Sequence, residues 1–173
     1  MFGKVTLAEA TQAAAEAPER ARVELIGPFM DAAARVLAKE CSEIVHRGQL
    51  FRVRSPQTAG EVSALIAITG KVAGLVIYSM GRETAIGIAS RMIGEDVPEL
   101  DPLAQSAIGE LANMITGQAG IALEQAGFPN DMSPPVLLLG AGSTIATLNL
   151  TRLVVPLVTS FGEFNIDIAI KEA

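Results

Sequence analysis

The 173-residue chain holds one cysteine, one histidine, one tyrosine and no tryptophan. Cys41 by itself forms no intrachain disulfide and completes no cysteine-based zinc cluster. His46 by itself leaves no multi-histidine metal site and argues against a Ser-His-Asp triad. Basic residues are also few. Thirteen Lys and Arg against nineteen Asp and Glu leave a net charge of −6, with a pI near 4.8. A surface without a basic stripe has little to release phosphate counterions, so nucleic-acid binding is not expected. The longest charge-free run, Met132 to Thr151, is interrupted by Pro134, Pro135, Gly140, Gly142 and Asn149. A spanning helix needs about 20 predominantly apolar residues, so this run reads as short strands. The first residues, Met1-Phe2-Gly3-Lys4, open no apolar stretch of signal-peptide length. The expectation is a cytoplasmic protein with no membrane partner.

What is abundant is apolar: half of the residues. The length suits about one domain with a sizeable core. Residues 1–24 read as a weakly ordered, Ala-rich arm, and residues 25–173 as a single domain. Gly27-Pro28 opens an amphipathic helix over 28–40, with Pro at a position suited to a helix start. Phe51 and Val53 alternate with Arg52 and Arg54 in a half-exposed strand. Val62 to Thr69 and Val72 to Met80 form a hairpin turned by Gly70-Lys71. Ala85, Ile88, Ala89, Met92 and Ile93 mark a short helix that Gly94 is placed to cap. Asp101 as N-cap and Pro102 as first residue open a second long helix, running to Gly127. Strands over 136–139, 144–150, 153–161 and 163–171 follow, with Gly162 at the last turn. A helix followed by about three strands thus occurs twice, as two pseudo-repeated halves. Adjacent strands joined by tight turns imply an antiparallel sheet with helices packed on one face, the α+β class.

The informative segment lies on the second long helix: Ser106-Ala-Ile-Gly-Glu-Leu-Ala-Asn-Met-Ile-Thr-Gly117. Ser106, Glu110, Asn113 and Gly117 fall at i, i+4, i+7 and i+11, one continuous stripe. Leu103, Ala107, Leu111, Met114 and Ile115 occupy neighbouring faces that can be buried. Each of Gly109, Gly117 and Gly120 costs the helix about 0.5–1 kcal/mol relative to Ala. That cost points to close approach, either by another part of the same molecule or by a partner docking over Glu110 and Asn113.

This run, followed by Ser133-Pro134-Pro135, resembles the signature of the CheC/CheX/FliY family of chemotaxis phosphatases. The family pattern of Ser or Asp, then Glu-x-x-Asn, then a later Pro falls on Ser106, Glu110, Asn113 and Pro134 or Pro135. Ile68-Thr69-Gly70, Gly74, Tyr78-Ser79, Glu83-Thr84-Ala85 and Ser90 with Met92 and Gly94 extend the likeness across residues 25–171. The first long helix, Phe29 to Glu40, carries no Glu-x-x-Asn pair, and a single site per chain resembles the CheX branch.

The resemblance implies a phosphatase acting on the aspartyl phosphate of a CheY-like response regulator. It places Asn113 as the group that orients the attacking water and Glu110 as the partner of the regulator's active-site Lys. Ser106 and Gly117 are assigned to the ends of the partner-docking stripe. No metal or cofactor of the chain's own is implied; the Mg²⁺ is expected in the regulator's site. The resemblance also implies a homodimer. The alternative is a non-catalytic, CheX-like dimeric module that binds a response regulator or another signalling protein without turnover. The remaining candidates read as structural: Cys41 as a small core hydrophobe, His46 as a rim residue, Tyr78 as a cap at a strand end, and Arg52 with Arg54 as a solvated strand face.

Overall fold

A computed structural model describes residues 19–53, 57–58, 60–147 and 150–173. Three helices occur among them: α1 (Glu19–Cys41), α2 (Arg82–Ile93) and α3 (Pro102–Gln125). The strands are β1 (His46–Arg47), β2 (Phe51–Val53), β3 (Gln57–Thr58), β4 (Val62–Gly70), β5 (Val72–Met80), β6 (Asn130–Met132), β7 (Val136–Leu139), β8 (Thr144–Ile145), β9 (Arg152–Thr159) and β10 (Gly162–Glu172).

The sheet is assembled from two hairpins. β4 and β5 pair antiparallel about Lys71, with Ile68 opposite Gly74 and Val62 opposite Met80. β9 and β10 pair with Phe164 opposite Leu157. The hairpins join along β5 and β10, where Phe164 faces Met80 and Ile170 faces Gly74. Short strands extend both edges: β1 and β2 add to β9, β6 and β7 to β4. β3 and β8 make a separate two-stranded ladder. Period-two alternation sends Ala64, Ile66, Ile68, Val76, Tyr78, Phe164 and Ile166 toward the helices, where they form one core with Phe29, Leu37, Ile88, Leu111 and Ile115. The expected α+β class, an antiparallel sheet with helices on one face, is the observed one.

Glycine is required where the hairpins join. Gly74 has φ +148°, and a Cβ there would collide with the Ala169 carbonyl oxygen on β10. Gly70, at φ +118°, lets the chain reverse into Lys71.

Three expectations need correction. Pro28 lies inside α1 rather than at its start. The apolar stripe of Phe29, Val36 and Leu37 continues back to buried Leu25. Packing on both sides of the proline carries the helix through the lost amide bond. Of the arm, residues 1–18 lie outside the described residues, and α1 begins at Glu19. Tyr78 is not a strand-end cap but is buried between sheet and helices. The strand expected over 144–150 is only β8, Thr144–Ile145. Arg54 lies outside the described residues.

The opposite face of the sheet carries an unusual pair. Arg152 and Asp167 are both buried there, with Nη1 and Oδ2 3.7 Å apart. Burial pushes the Asp167 carboxyl up to about 6, with the Arg152 charge pulling in the other direction.

Candidate functional site

α3 is fastened at each end and from beneath. At its start the Asp101 carboxylate accepts the Ala104 N–H at 2.8 Å, the expected N-cap, and Pro102 takes the first position. Gln105 Nε2 adds a bond to the Leu100 carbonyl at 3.0 Å. At its end Gly127 turns left-handed, and the Phe128 N–H returns to the Leu123 carbonyl. Near its middle, Thr116 Oγ1 and Tyr78 Oη share a buried hydrogen bond of 2.8 Å, tying the helix to β5. The Tyr78 ring also packs against Phe164, with centroids 6.0 Å apart. Burial raises the Tyr78 phenol above its ordinary value, so it remains a neutral partner.

The segment after α3 closes over one flank. The Ser133 N–H donates to the Ala67 carbonyl, and Ser133 Oγ accepts from the Ala67 N–H at 2.9 Å. These bonds fix Pro134 and Pro135 beside the helix. A Cβ built on Gly109 would stand 3.6 Å from Pro135 Cγ and 3.5 Å from Leu137 Cδ1. Of the two prolines singled out in the sequence, Pro135 is therefore the one that reaches the residue preceding Glu110.

The expected stripe is present. Ser106 and Glu110 are exposed, and Asn113 and Gly117 are half-buried. Among the described residues, no side chain hydrogen-bonds to the Glu110 carboxylate or the Asn113 carboxamide, so both keep their full bonding capacity toward an incoming group. At about 100° per residue, Ser106, Asn113 and Gly117 lie within about 60° of Glu110 around the helix axis.

The three glycines separate. At Gly120 a Cβ would come within 2.8 Å of Asn130 Oδ1, because the Asn130 amide sits across the helix and donates to the Gly120 and Phe128 carbonyls. Gly109 lies under Pro135 and Leu137. Among the described residues, Gly117 has nothing beyond its own helix backbone within 4 Å of the Cβ it lacks. Only Gly120 thus answers to a neighbour in the same chain; Gly109 has room for a Cβ in ordinary contact, and Gly117 opens to solvent on the face of Glu110 and Asn113.

Leu103, placed by the sequence among faces that can be buried, is 55% exposed. The helical wheel explains this: Leu103 lies about 20° from Glu110, on the outward arc. Leu111 and Ile115 are buried as expected, and Ala107 and Met114 pack partly against the core. Sequence reasoning missed Thr116 as the anchor of the helix and Ile121, exposed on the same arc as Leu103. The five-turn spacing from Leu103 to Ile121 was the available signal.

The remaining candidates are unremarkable in chemistry. His46 is exposed on β1. Cys41 is buried, and burial lifts its thiol to about 11. No helix among the described residues is long and apolar enough to cross a membrane.

Comparison with known proteins agrees with the geometry. The family described as chemotaxis phosphatase CheX matches residues 62–158. The CheY-P phosphatase CheX of Thermotoga maritima is 36% identical over 108 residues, 62% of this chain and 70% of that protein. The crystal structure of a chemotaxis protein CheX from Desulfovibrio desulfuricans superposes with a TM-score of 0.78 at 28% identity, covering 87% of this chain and 99% of that one. The CheX–CheY–BeF₃–Mg²⁺ complex from Borrelia burgdorferi gives a TM-score of 0.73 at 27% identity, covering 87% of this chain and 100% of that one. With more than half of its length matched, and α3 presenting the Glu-x-x-Asn pair on an open face, the chain belongs to the CheX family of chemotaxis phosphatases.

Proposed function

We propose that this protein hydrolyses the aspartyl phosphate of a CheY-like response regulator, using Asn113 to position water and Glu110 to fix the regulator. The observation that carries the reading is the pair of uncommitted side chains on one open face of a helix held at both ends. Family membership supplies the reaction class.

An acyl phosphate is already a reactive electrophile, so little covalent chemistry is asked of the enzyme. Water attacks phosphorus, the bond from phosphorus to the aspartyl oxygen breaks, and the products are inorganic phosphate and a free carboxylate. The barrier is lowered chiefly by holding that water in line. A carboxamide suits the task, having a donor and an acceptor and no charge to repel phosphoryl oxygens. Asn113 is half-buried on a locked helix, so its amide is presented with little freedom to lose. Glu110, about one turn away, pairs with the regulator's active-site Lys through a charge-assisted bond and sets Asn113 over the phosphoryl group. Bound in the regulator, Mg²⁺ neutralises charge on the phosphoryl oxygens. Ser106 and Gly117 lie toward the two ends of the contact, Gly117 admitting close approach.

The protein is also proposed to act as a homodimer. The helix-free face of the sheet supports this reading, since Val158 is half-exposed there opposite His46, with Phe51 and Ile44 exposed nearby. Light scattering is expected to give twice the 18.0 kDa chain mass; a mass of one chain contradicts it.

The test of the activity is loss of phosphoryl label from a Mg²⁺-loaded regulator of the same cell, with wild type beside Asn113→Ala and Glu110→Ala. Accelerated loss that disappears in Asn113→Ala supports the reading. Binding without acceleration leaves a non-catalytic docking module.

A further inference from the structure

The outward arc of α3 extends beyond the Glu-x-x-Asn pair. Leu103 is 55% exposed and Ile121 59% exposed. Eighteen residues separate them, five turns, so both point the same way about 27 Å apart along the axis. Between them the sequence holds a single charged residue, Glu110. A solvated helix face is ordinarily rich in charge, whereas the centre of a protein interface is depleted of it and carries large apolar groups. Gly117, with open space where its Cβ would be, lies on the same arc.

We infer that Leu103 and Ile121 are the two apolar anchors of the regulator-docking surface, setting affinity while Asn113 sets turnover. The inference rests on the activity proposed above and names the surface that selects its substrate. The partner must offer one cationic group opposite Glu110, with apolar ground about 10 Å to the Leu103 side and about 17 Å to the Ile121 side. The receiver surface around a phosphorylated Asp and its Lys is the occupant that Glu110 fits. A second copy fits poorly, because a two-fold contact centred on this stripe would bring two Glu110 carboxylates together without a cation between them. The arc is also continuous with the catalytic pair, so one docking event covers all four side chains.

The experiment is steady-state kinetics on the phosphorylated regulator for wild type, Leu103→Ser, Ile121→Ser and Leu103→Met, with binding to the BeF₃⁻-activated regulator measured in parallel. Both serine variants are exposed substitutions, and their melting temperatures verify folding. Each is expected to raise KM and the Kd for the activated regulator about tenfold with kcat unchanged, and Leu103→Met to restore both. An unchanged KM in both serine variants overturns the inference while leaving the activity intact. So does a fall in kcat at constant KM. Loss of the dimer with KM unchanged assigns the arc to self-association instead. A wild type that neither binds nor accelerates any regulator overturns the activity itself, and this inference with it.

Discussion

Gly117→Ala is expected to make the protein more stable and less effective. Ala in place of Gly within a helix gains about 0.5–1 kcal/mol from the unfolded chain's lost freedom. Among the described residues nothing opposes the added methyl, because apart from the helix's own neighbouring backbone no atom lies within 4 Å of its position. For a chain of this length that gain corresponds to a melting temperature about 1–4 °C higher. Two neighbouring glycines are internal controls. Gly109→Ala places its methyl in ordinary contact with Leu137 Cδ1 at 3.5 Å, so it too gains stability, and with turnover and KM unaltered. Gly120→Ala meets Asn130 Oδ1 at 2.8 Å and must displace an amide engaged with two carbonyls. The broken bonds cost about 1–3 kcal/mol, which outweighs the helix gain, and that variant melts lower. Thermal unfolding ranks the three, and steady-state kinetics on a phosphorylated regulator reads docking. Gly117→Ala should raise KM while raising the melting temperature. A lower melting temperature would mean that the face is covered within the molecule, and an unchanged KM that no partner approaches it.

Removing the hydroxyl in Tyr78→Phe strands the buried Thr116 Oγ1, at about 1–3 kcal/mol in denaturant unfolding; the double variant with Thr116→Val should lose less than the two single losses combined, and strict additivity would refute the coupling. Asp167 holds its proton more tightly folded than unfolded, so its contribution is present below about pH 4 and is lost as pH rises through about 6. Wild-type stability minus that of Asp167→Asn should therefore fall by up to about 3 kcal/mol across that window and then level; a pH-independent difference in urea unfolding contradicts it. Cys41, buried with its thiol raised to about 11, should resist a thiol reagent at neutral pH until the chain unfolds, and rapid labelling of native protein would refute that placement.

Local signals carried much of the architecture into the sequence. The β4–β5 hairpin is announced by alternation on both sides of Gly70, and the N-cap Asp101 with Pro102 places the start of α3 at the observed residue. β10 likewise follows from the alternating Phe164, Ile166, Ile168 and Ile170. What escaped depends on contacts between distant segments. β1 and β6 are two and three residues long and exist because β9 and β4 offer unpaired edges. The passage of α1 through Pro28 is decided by burial of Leu25 and Phe29 against the sheet, which no local rule shows. The union of the hairpins along β5 and β10 is similarly a tertiary choice, and the close approach that requires Gly74 there follows from it. At the site, the spacing of Ser106, Glu110, Asn113 and Gly117 was legible because a helix repeats regularly. The exposure of Leu103 was missed because its hydrophobicity suggests burial, although the wheel sets it about 20° from Glu110 on the polar arc.

The central claim is that Asn113 supplies chemistry and not merely contact. Its most direct test is the single-turnover rate of phosphoryl loss with saturating protein, set beside affinity for the BeF₃⁻-activated regulator. The account predicts that Asn113→Ala abolishes the acceleration while binding stays within about twofold of wild type. Retained acceleration in Asn113→Ala, or a loss of rate explained entirely by lost binding, would contradict it.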